Sequence, residues 1–198
     1  LIHPWIYDFA AYDLWSKPLG LLHIARHLMR RGFAVHLIDC LNGHHPQMRE
    51  SGKPPPKRGA FGTGKFWRTV ISPPEPLKEM GRPYSRYGIS PELFARELKA
   101  AVKPAAILVT SLMTYWYPGV FETIREAKKI YPDVPVILGG IYARLCEAHA
   151  RRHSGADRVV TATDTEPLLN ALDDLGISPP RADSPLKTPL YPAFDLLN

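Results

Sequence analysis

Residues 105–140, AAILVTSLMTYWYPGVFETIREAKKIYPDVPVILGG, constrain this chain more than any other stretch. The run 105–109 is short, continuous and apolar, which suits a strand buried on both faces of a parallel sheet. Pro118 then opens a helix in which Val120, Ile124, Ala127 and Tyr131 recur at helical spacing. Glu122, Arg125, Glu126, Lys128 and Lys129 cover the other side, so one face of this helix lies on a sheet and the other is wet. Residues 132–135 stop it, Val136, Ile137 and Leu138 supply the next buried strand, and Gly139-Gly140 at its carboxyl end permits a close backbone approach.

The same alternation runs through the rest of the chain. Residues 1–3 read as the tail of a first strand, and the aromatic-rich residues 4–17 as the loop at its carboxyl end. Pro18 and Gly32 bracket a helix with Leu21, Leu22, Ala25, Leu28 and Met29 inward, and residues 33–39 form the second strand. Ser90 caps and Pro91 starts a helix burying Phe94, Leu98 and Ala101. A short helix over 142–152, a fifth strand over 156–160, and a last helix opened by a Thr163-x-x-Glu166 capping box complete the pattern. Strands alternating with helices predict a doubly wound α/β domain over 1–176, flavodoxin-like or Rossmann-like, with a parallel five-stranded sheet in the order 2-1-3-4-5.

Residues 43–89 interrupt this pattern as an insert rich in Pro, Gly, aromatic and basic residues. It holds nine Lys or Arg against three Glu, an excess equal to the whole chain's net charge of +6. The basic character therefore belongs to the insert, and nucleic acid is not an expected partner of the core domain. The insert is expected to cover a cofactor or to dock on another domain. Within it GAFGTGK (59–65) has the spacing of a phosphate loop, but Phe66 stands where Ser or Thr would hold magnesium and no strand precedes it. Residues 177–198 read as a proline-rich linker.

No apolar run is long enough for a transmembrane helix, and the start LIHPWIYDF lacks the features of a signal peptide, so a cytoplasmic location is expected, without a membrane partner. The absence of an initiator methionine suggests an upstream start. Cys40 and Cys146 match no metal spacing and read as reduced, inert thiols. Of the eight histidines only the adjacent His44-His45 has a spacing that suggests ligation, and it reads as solvated loop; no metal site is expected.

Open parallel sheets bind ligands at the carboxyl ends of their strands. Ser111, Leu112, Met113, Thr114, Tyr115, Trp116 and Tyr117 place hydroxyls, apolar groups and three aromatic rings in one loop there, which suits a large, flat, partly apolar ligand. Ser111 reads equally as a helix cap. The aromatic rings could be core or could face a ligand or a further domain. Gly139-Gly140 reads as ligand approach in preference to mere close packing.

The segments PLGLLHIARHLMRRGFAVHLID, TSLMTYWYPG, VPVILGGIYA, GADRVV and LYPAFDLL, in this order and spacing, resemble the N-terminal cobalamin (vitamin B12)-binding domain of cobalamin-dependent radical S-adenosylmethionine proteins. The resemblance covers nearly the whole chain apart from the insert. It implies that Ser111 and Met113 stand at a Ser-x-Leu-like element lining the cofactor's nucleotide tail, and that Gly139 and Gly140 give the tail room. It places Trp5, Tyr7, Leu112, Thr114, Tyr115, Trp116, Tyr142 and Thr163 around the cofactor. Residues 161–166 keep only Glu166 of the family's Gly-Glu-Gly-Glu-like stretch. The Asp-x-His-x-x-Gly motif of methionine-synthase-type domains is absent, which implies a lower cobalt face without a protein histidine.

The same resemblance implies a downstream radical S-adenosylmethionine domain holding an iron–sulfur cluster and S-adenosylmethionine, since two isolated cysteines cannot supply the cluster's ligands. The chain itself is then a cofactor-presenting module with no catalytic residue. Its parent enzyme would transfer methyl groups or form rings on an undefined small molecule. The competing expectation is a doubly wound domain that binds another ligand or a protein partner, without corrinoid.

Overall fold

The computed structural model describes residues 1–15, 17–49, 54–180 and 191–197, so Ser16, part of the predicted insert (50–53) and part of the predicted linker (181–190 and 198) lie outside the described residues. The strands are β1 (Ile2–His3), β2 (Ile6–Asp8), β3 (Tyr12–Asp13), β4 (Ile38–Asp39), β5 (Gly64–Lys65), β6 (Arg68–Val70), β7 (Ser85–Tyr87), β8 (Ile107–Val109), β9 (Val136–Leu138) and β10 (Arg158–Val159). The helices are α1 (Leu19–Arg30), α2 (Pro46–Arg49), α3 (Pro91–Ala100), α4 (Tyr117–Ile130), α5 (Ile141–Leu145), α6 (Glu147–His153) and α7 (Glu166–Asp173).

The parallel sheet runs β4-β1-β8-β9-β10, which is the 2-1-3-4-5 order of a doubly wound α/β fold. Period-2 alternation explains why β8 and β9 are apolar throughout. Ile107, Val109, Val136 and Leu138 enter one core with Phe94 and Leu98 of α3 and Val120, Ile124 and Ala127 of α4. Leu108 and Ile137 point the other way, onto Leu28 of α1 and Leu168 and Leu172 of α7. With helices on both faces, neither face of these strands can be polar.

The helices follow their sequence signals with local exceptions. Ser90 caps α3 by accepting from the Leu93 N–H at 3.2 Å, as predicted. Met29 is half-buried where full burial was expected, and Ala101 is the C-cap of α3, beyond its buried face of Leu93, Phe94 and Leu98. The single helix predicted over 142–152 is two, α5 and α6, broken where Cys146 takes φ −124° and ψ 43°. Thr163 caps nothing: Thr165 is the N-cap of α7, with no side-chain cap hydrogen bond. The second strand is shorter than 33–39, because only Ile38 and Asp39 face partners in β1.

The larger departure from expectation is the antiparallel layer. The predicted loop 4–17 and the predicted insert pair with each other. β2-β7-β6 form a three-stranded sheet, Ile6 opposite Tyr87 and Tyr87 opposite Arg68, and β3 pairs with β5. Phe66, Tyr87, Ile6 and Leu41 close a third core beneath it. Residues 64–65 of the phosphate-loop-like motif are thus strand β5, with no helix following.

The described part of the predicted linker is also docked. Ala193 is fully buried and donates its N–H to the Leu22 carbonyl at 3.0 Å, and Asp195 pairs with Arg26, so 191–197 lie on α1 and end in the turn Phe194–Leu196. Among the described residues no helix is long and apolar enough to cross a membrane.

Candidate functional site

The carboxyl ends of β8 and β9 are joined by a backbone seam. The Ser111 hydroxyl donates to the Gly139 carbonyl at 2.6 Å and accepts from the Ala143 N–H at 3.2 Å. The Ser111 carbonyl accepts from the Ile141 N–H at 2.7 Å. Ser111 is therefore a fully buried brace that caps α5 from outside the helix, and the capping alternative describes its hydroxyl. Gly140 holds φ at 95°, and a Cβ there would lie 2.3 Å from the Ser111 carbonyl oxygen. Close packing of loop on loop is thus sufficient to require a glycine at 140. Gly139 is less constrained: a Cβ on it would meet only the Val160 carbonyl, at 3.7 Å.

On this seam stand the groups that face outward. The turn Thr114–Trp116 presents Tyr115 with 60% of its surface exposed, beside Met113 at 48% and Ile141, the first residue of α5, at 51%. Leu112 and Thr114 are half-buried, while Gly140 and, after β10, Thr163 are exposed. Ile141 was not among the predicted residues; its place directly after Gly139-Gly140 is the signal that marks it. Trp116 packs edge-on to Tyr115 and donates its indole N–H to Asp8 of β2 at 2.8 Å, tying this turn to the antiparallel layer.

The other half of the sheet edge is filled. Trp5 is 1% exposed, donates its indole N–H to the Ile89 carbonyl at 2.8 Å and packs on Phe94 at 4.9 Å. It is a core residue, away from the exposed groups that the resemblance was expected to place it among. A Cβ on Gly119 would lie 2.1 Å from the Trp5 carbonyl oxygen, so the chain leaving β1 crosses directly over the start of α4. That crossing occupies the crevice between β1 and β8, the topological switch point where doubly wound folds commonly bind.

Tyr7, on β2, is half-buried, and its carbonyl accepts from the Tyr84 hydroxyl at 3.1 Å. Burial, then the carboxylate of Glu122, raises its phenol. Beneath this layer the His3 ring, 1% exposed, holds Asp39 through Nδ1 at 2.8 Å, and Lys17 reaches the same carboxylate at 3.1 Å. Burial pushes the Asp39 carboxyl up, but His3 and Lys17 outweigh it and hold the group well below the usual carboxylate range. The Nε2 of His3 is buried without a hydrogen-bond partner.

Tyr142 is also internal. Its hydroxyl meets His149 Nδ1 at 2.7 Å, and burial pushes its phenol up to about 12. The predicted residues thus separate into three groups. Trp5, Ser111 and Tyr142 are buried and internally bonded. Tyr7, Leu112, Thr114, Trp116 and Gly139 are half-buried. Met113, Tyr115, Gly140 and Thr163 are exposed around the ends of β8, β9 and β10.

A cavity of about 510 Å³, lined by apolar groups including Ile2, Leu28, Phe33, Val35 and Leu98, lies at the opposite, amino ends of the strands. His36 and Lys103 are the polar side chains of its lining and the rest is apolar, so volume alone does not make it the functional site.

Residues 84–172 match the B12 binding domain family. The match begins at β7 and runs through α7, a little under half of the chain, and includes the seam and every exposed group standing on it. It supports a cobalamin-binding domain over that span. No curated protein matches the chain.

Proposed function

We propose that this chain binds cobalamin against the carboxyl ends of β8, β9 and β10 and presents it to a radical S-adenosylmethionine catalytic domain of the same protein. The observation that carries the first part is a coincidence of two boundaries: the B12 binding domain match covers the half of the sheet edge that is open, and leaves outside it β1, β4 and most of the layer that closes the other half. The second part is supported by the motif order, from TSLMTYWYPG to LYPAFDLL, that resembles the cobalamin domains of such enzymes.

The residues present fit a corrinoid. Met113, Tyr115 and Ile141 form an apolar floor, and Thr114 and Thr163 offer hydroxyls at its margin for the amide side chains of the ring. Bound cobalamin supplies a cobalt centre able to carry a methyl group; the protein sets its reactivity through what faces the metal. No histidine stands among these floor residues, so the contact offered to the lower face is apolar and aromatic. Ser111 and Gly140 keep the floor rigid by fixing the start of α5, and Trp116 fixes the turn bearing Tyr115 through Asp8.

The test is retention of hydroxocobalamin after equilibrium dialysis and desalting, read from the corrinoid visible bands, in the wild type and in Tyr115→Glu and Ile141→Glu. Both side chains are exposed, so circular dichroism should remain unchanged. Colour retained by the wild type and lost in both variants is the expected result. A wild type that takes up no corrinoid at any accessible concentration overturns the cobalamin reading and leaves a surface for another ligand or a protein partner. For the catalytic domain, the product of the complete gene should bind an iron–sulfur cluster and cleave S-adenosylmethionine reductively; failure with a full cluster complement overturns that part alone.

A further inference from the structure

We propose that His149 and His153 form a binding site for a divalent transition-metal ion, separate from the strand ends. Two histidines four apart lie over one another on one face of a helix, the spacing by which helices chelate zinc with paired imidazoles. Here the rings of His149 and His153 on α6 have centroids 4.8 Å apart with their planes at 48°. A cation held at about 2.0–2.1 Å from one nitrogen of each ring needs those nitrogens roughly 3 Å apart, a separation that this ring spacing allows. This corrects the sequence reading, in which only His44-His45 had ligand spacing.

The spacing is not the whole argument, since His23 and His27 of α1 share it. What carries the site further is that the His149 ring is fixed by identified contacts. Phe121 stacks on it at 5.9 Å and 19°, and Tyr117 meets it edge-on at 5.0 Å. Its Nδ1 is engaged by the Tyr142 hydroxyl at 2.7 Å. With Nδ1 engaged by that hydroxyl, Nε2 is the ring nitrogen left for a metal ion, which binds it in its unprotonated form. This is the arrangement in which an outer partner sets the tautomer and orientation of a metal-ligating histidine.

Tyr142 is held by its own burial, so the order of the core is passed to the exposed imidazole, and His153, also exposed, completes the pair. Glu147 pairs with Arg151 on the same helix, which leaves Arg152 as the cation next to His153 in sequence. Among the described residues no three His, Cys, Asp or Glu converge, so water fills the remaining positions. Two imidazoles with water suit Ni²⁺, Cu²⁺ and Zn²⁺ over Mg²⁺ or Ca²⁺, with Cu²⁺ bound most tightly.

The experiment is calorimetric titration of the untagged chain with Ni²⁺ at neutral pH, against His153→Ala, His149→Gln and the control His23→Ala. One equivalent should bind to the wild type and to the control, with affinity at least tenfold lower in His153→Ala and His149→Gln. Tyr142→Phe, which keeps the ring, should weaken binding severalfold and shift the visible band of bound Cu²⁺, which a purely packing role for the hydroxyl would leave in place. Equal Ni²⁺ affinity in wild type and His153→Ala, or an equal loss in His23→Ala, overturns the site. Neither result bears on corrinoid retention, which depends on other residues.

Discussion

The carboxyl edge of the parallel sheet has two halves that do different things. At β1 and β4 the ends are locked by the His3–Asp39–Lys17 network and roofed by Trp5 and the β2-β7-β6 layer. At β8, β9 and β10 the ends are stitched by backbone and hydroxyl hydrogen bonds, and the side chains are left facing outward. The difference teaches that a fold's usual binding edge is a set of options. A layer added over the switch point closes one option and leaves the other exposed.

The seam is where the comparison breaks most sharply. Gly140→Val places a Cβ against the Ser111 carbonyl at a φ of 95°, and should cost about 3 kcal/mol, the upper end for enforced backbone strain, in a urea midpoint with unchanged slope. Gly139→Ala, one residue earlier, meets only an ordinary contact and should change stability by less than about 0.5 kcal/mol, as unstrained substitutions do. Equal costs at the two glycines would mean that the close approach to Ser111 is not what Gly140 is for.

Next in size is the closed half. Asp39→Asn removes the anion that His3 and Lys17 share and should destabilise by about 1–3 kcal/mol, the cost of leaving a buried hydrogen-bonding group unmatched. Corrinoid retention should not change, because nothing in this network faces the open half. The carboxyl is depressed in the folded state, so its contribution is present above the unfolded value of about 3.9 and is lost as pH falls from there towards the lower folded value. Acid denaturation of the wild type below about pH 4 should therefore be steeper than that of Asp39→Asn, whose amide does not titrate.

The smallest effect sharpens the join between the halves. Trp116→Phe keeps most of the ring and loses the 2.8 Å bond to Asp8, which should cost about 1 kcal/mol. If the antiparallel layer positions Tyr115 through this bond, corrinoid affinity should fall as well. Unchanged affinity would make the layer a roof only.

Much of the fold was legible because its signals are local. The buried runs at 107–109 and 136–138, Ser90 ahead of Pro91, and the amphipathic stripes of α1 and α4 each report on their own neighbourhood, and their alternation leaves few topologies open. Strands β2, β3, β5, β6 and β7 were not legible: they mix polar and apolar residues without a continuous apolar run and pair only across long sequence separations. The buried aromatics in and beside them, Phe66, Trp67, Tyr84 and Tyr87, were visible as composition but not as strands. At the candidate site, residue type marked one loop and two glycines, yet could not separate Ser111, whose hydroxyl is used up internally, from Tyr115, which is exposed.

The sequence by itself determined the parallel sheet and its order, because hydrophobic period and chain connectivity dictate them. Only the tertiary structure decided which half of the sheet's carboxyl edge is open. It also decided that Gly140 serves Ser111, and that His149 is held by Tyr142. These are contacts between segments 28 to 108 residues apart, or between side chains whose facing depends on the packing around them, and no local pattern in the chain encodes them.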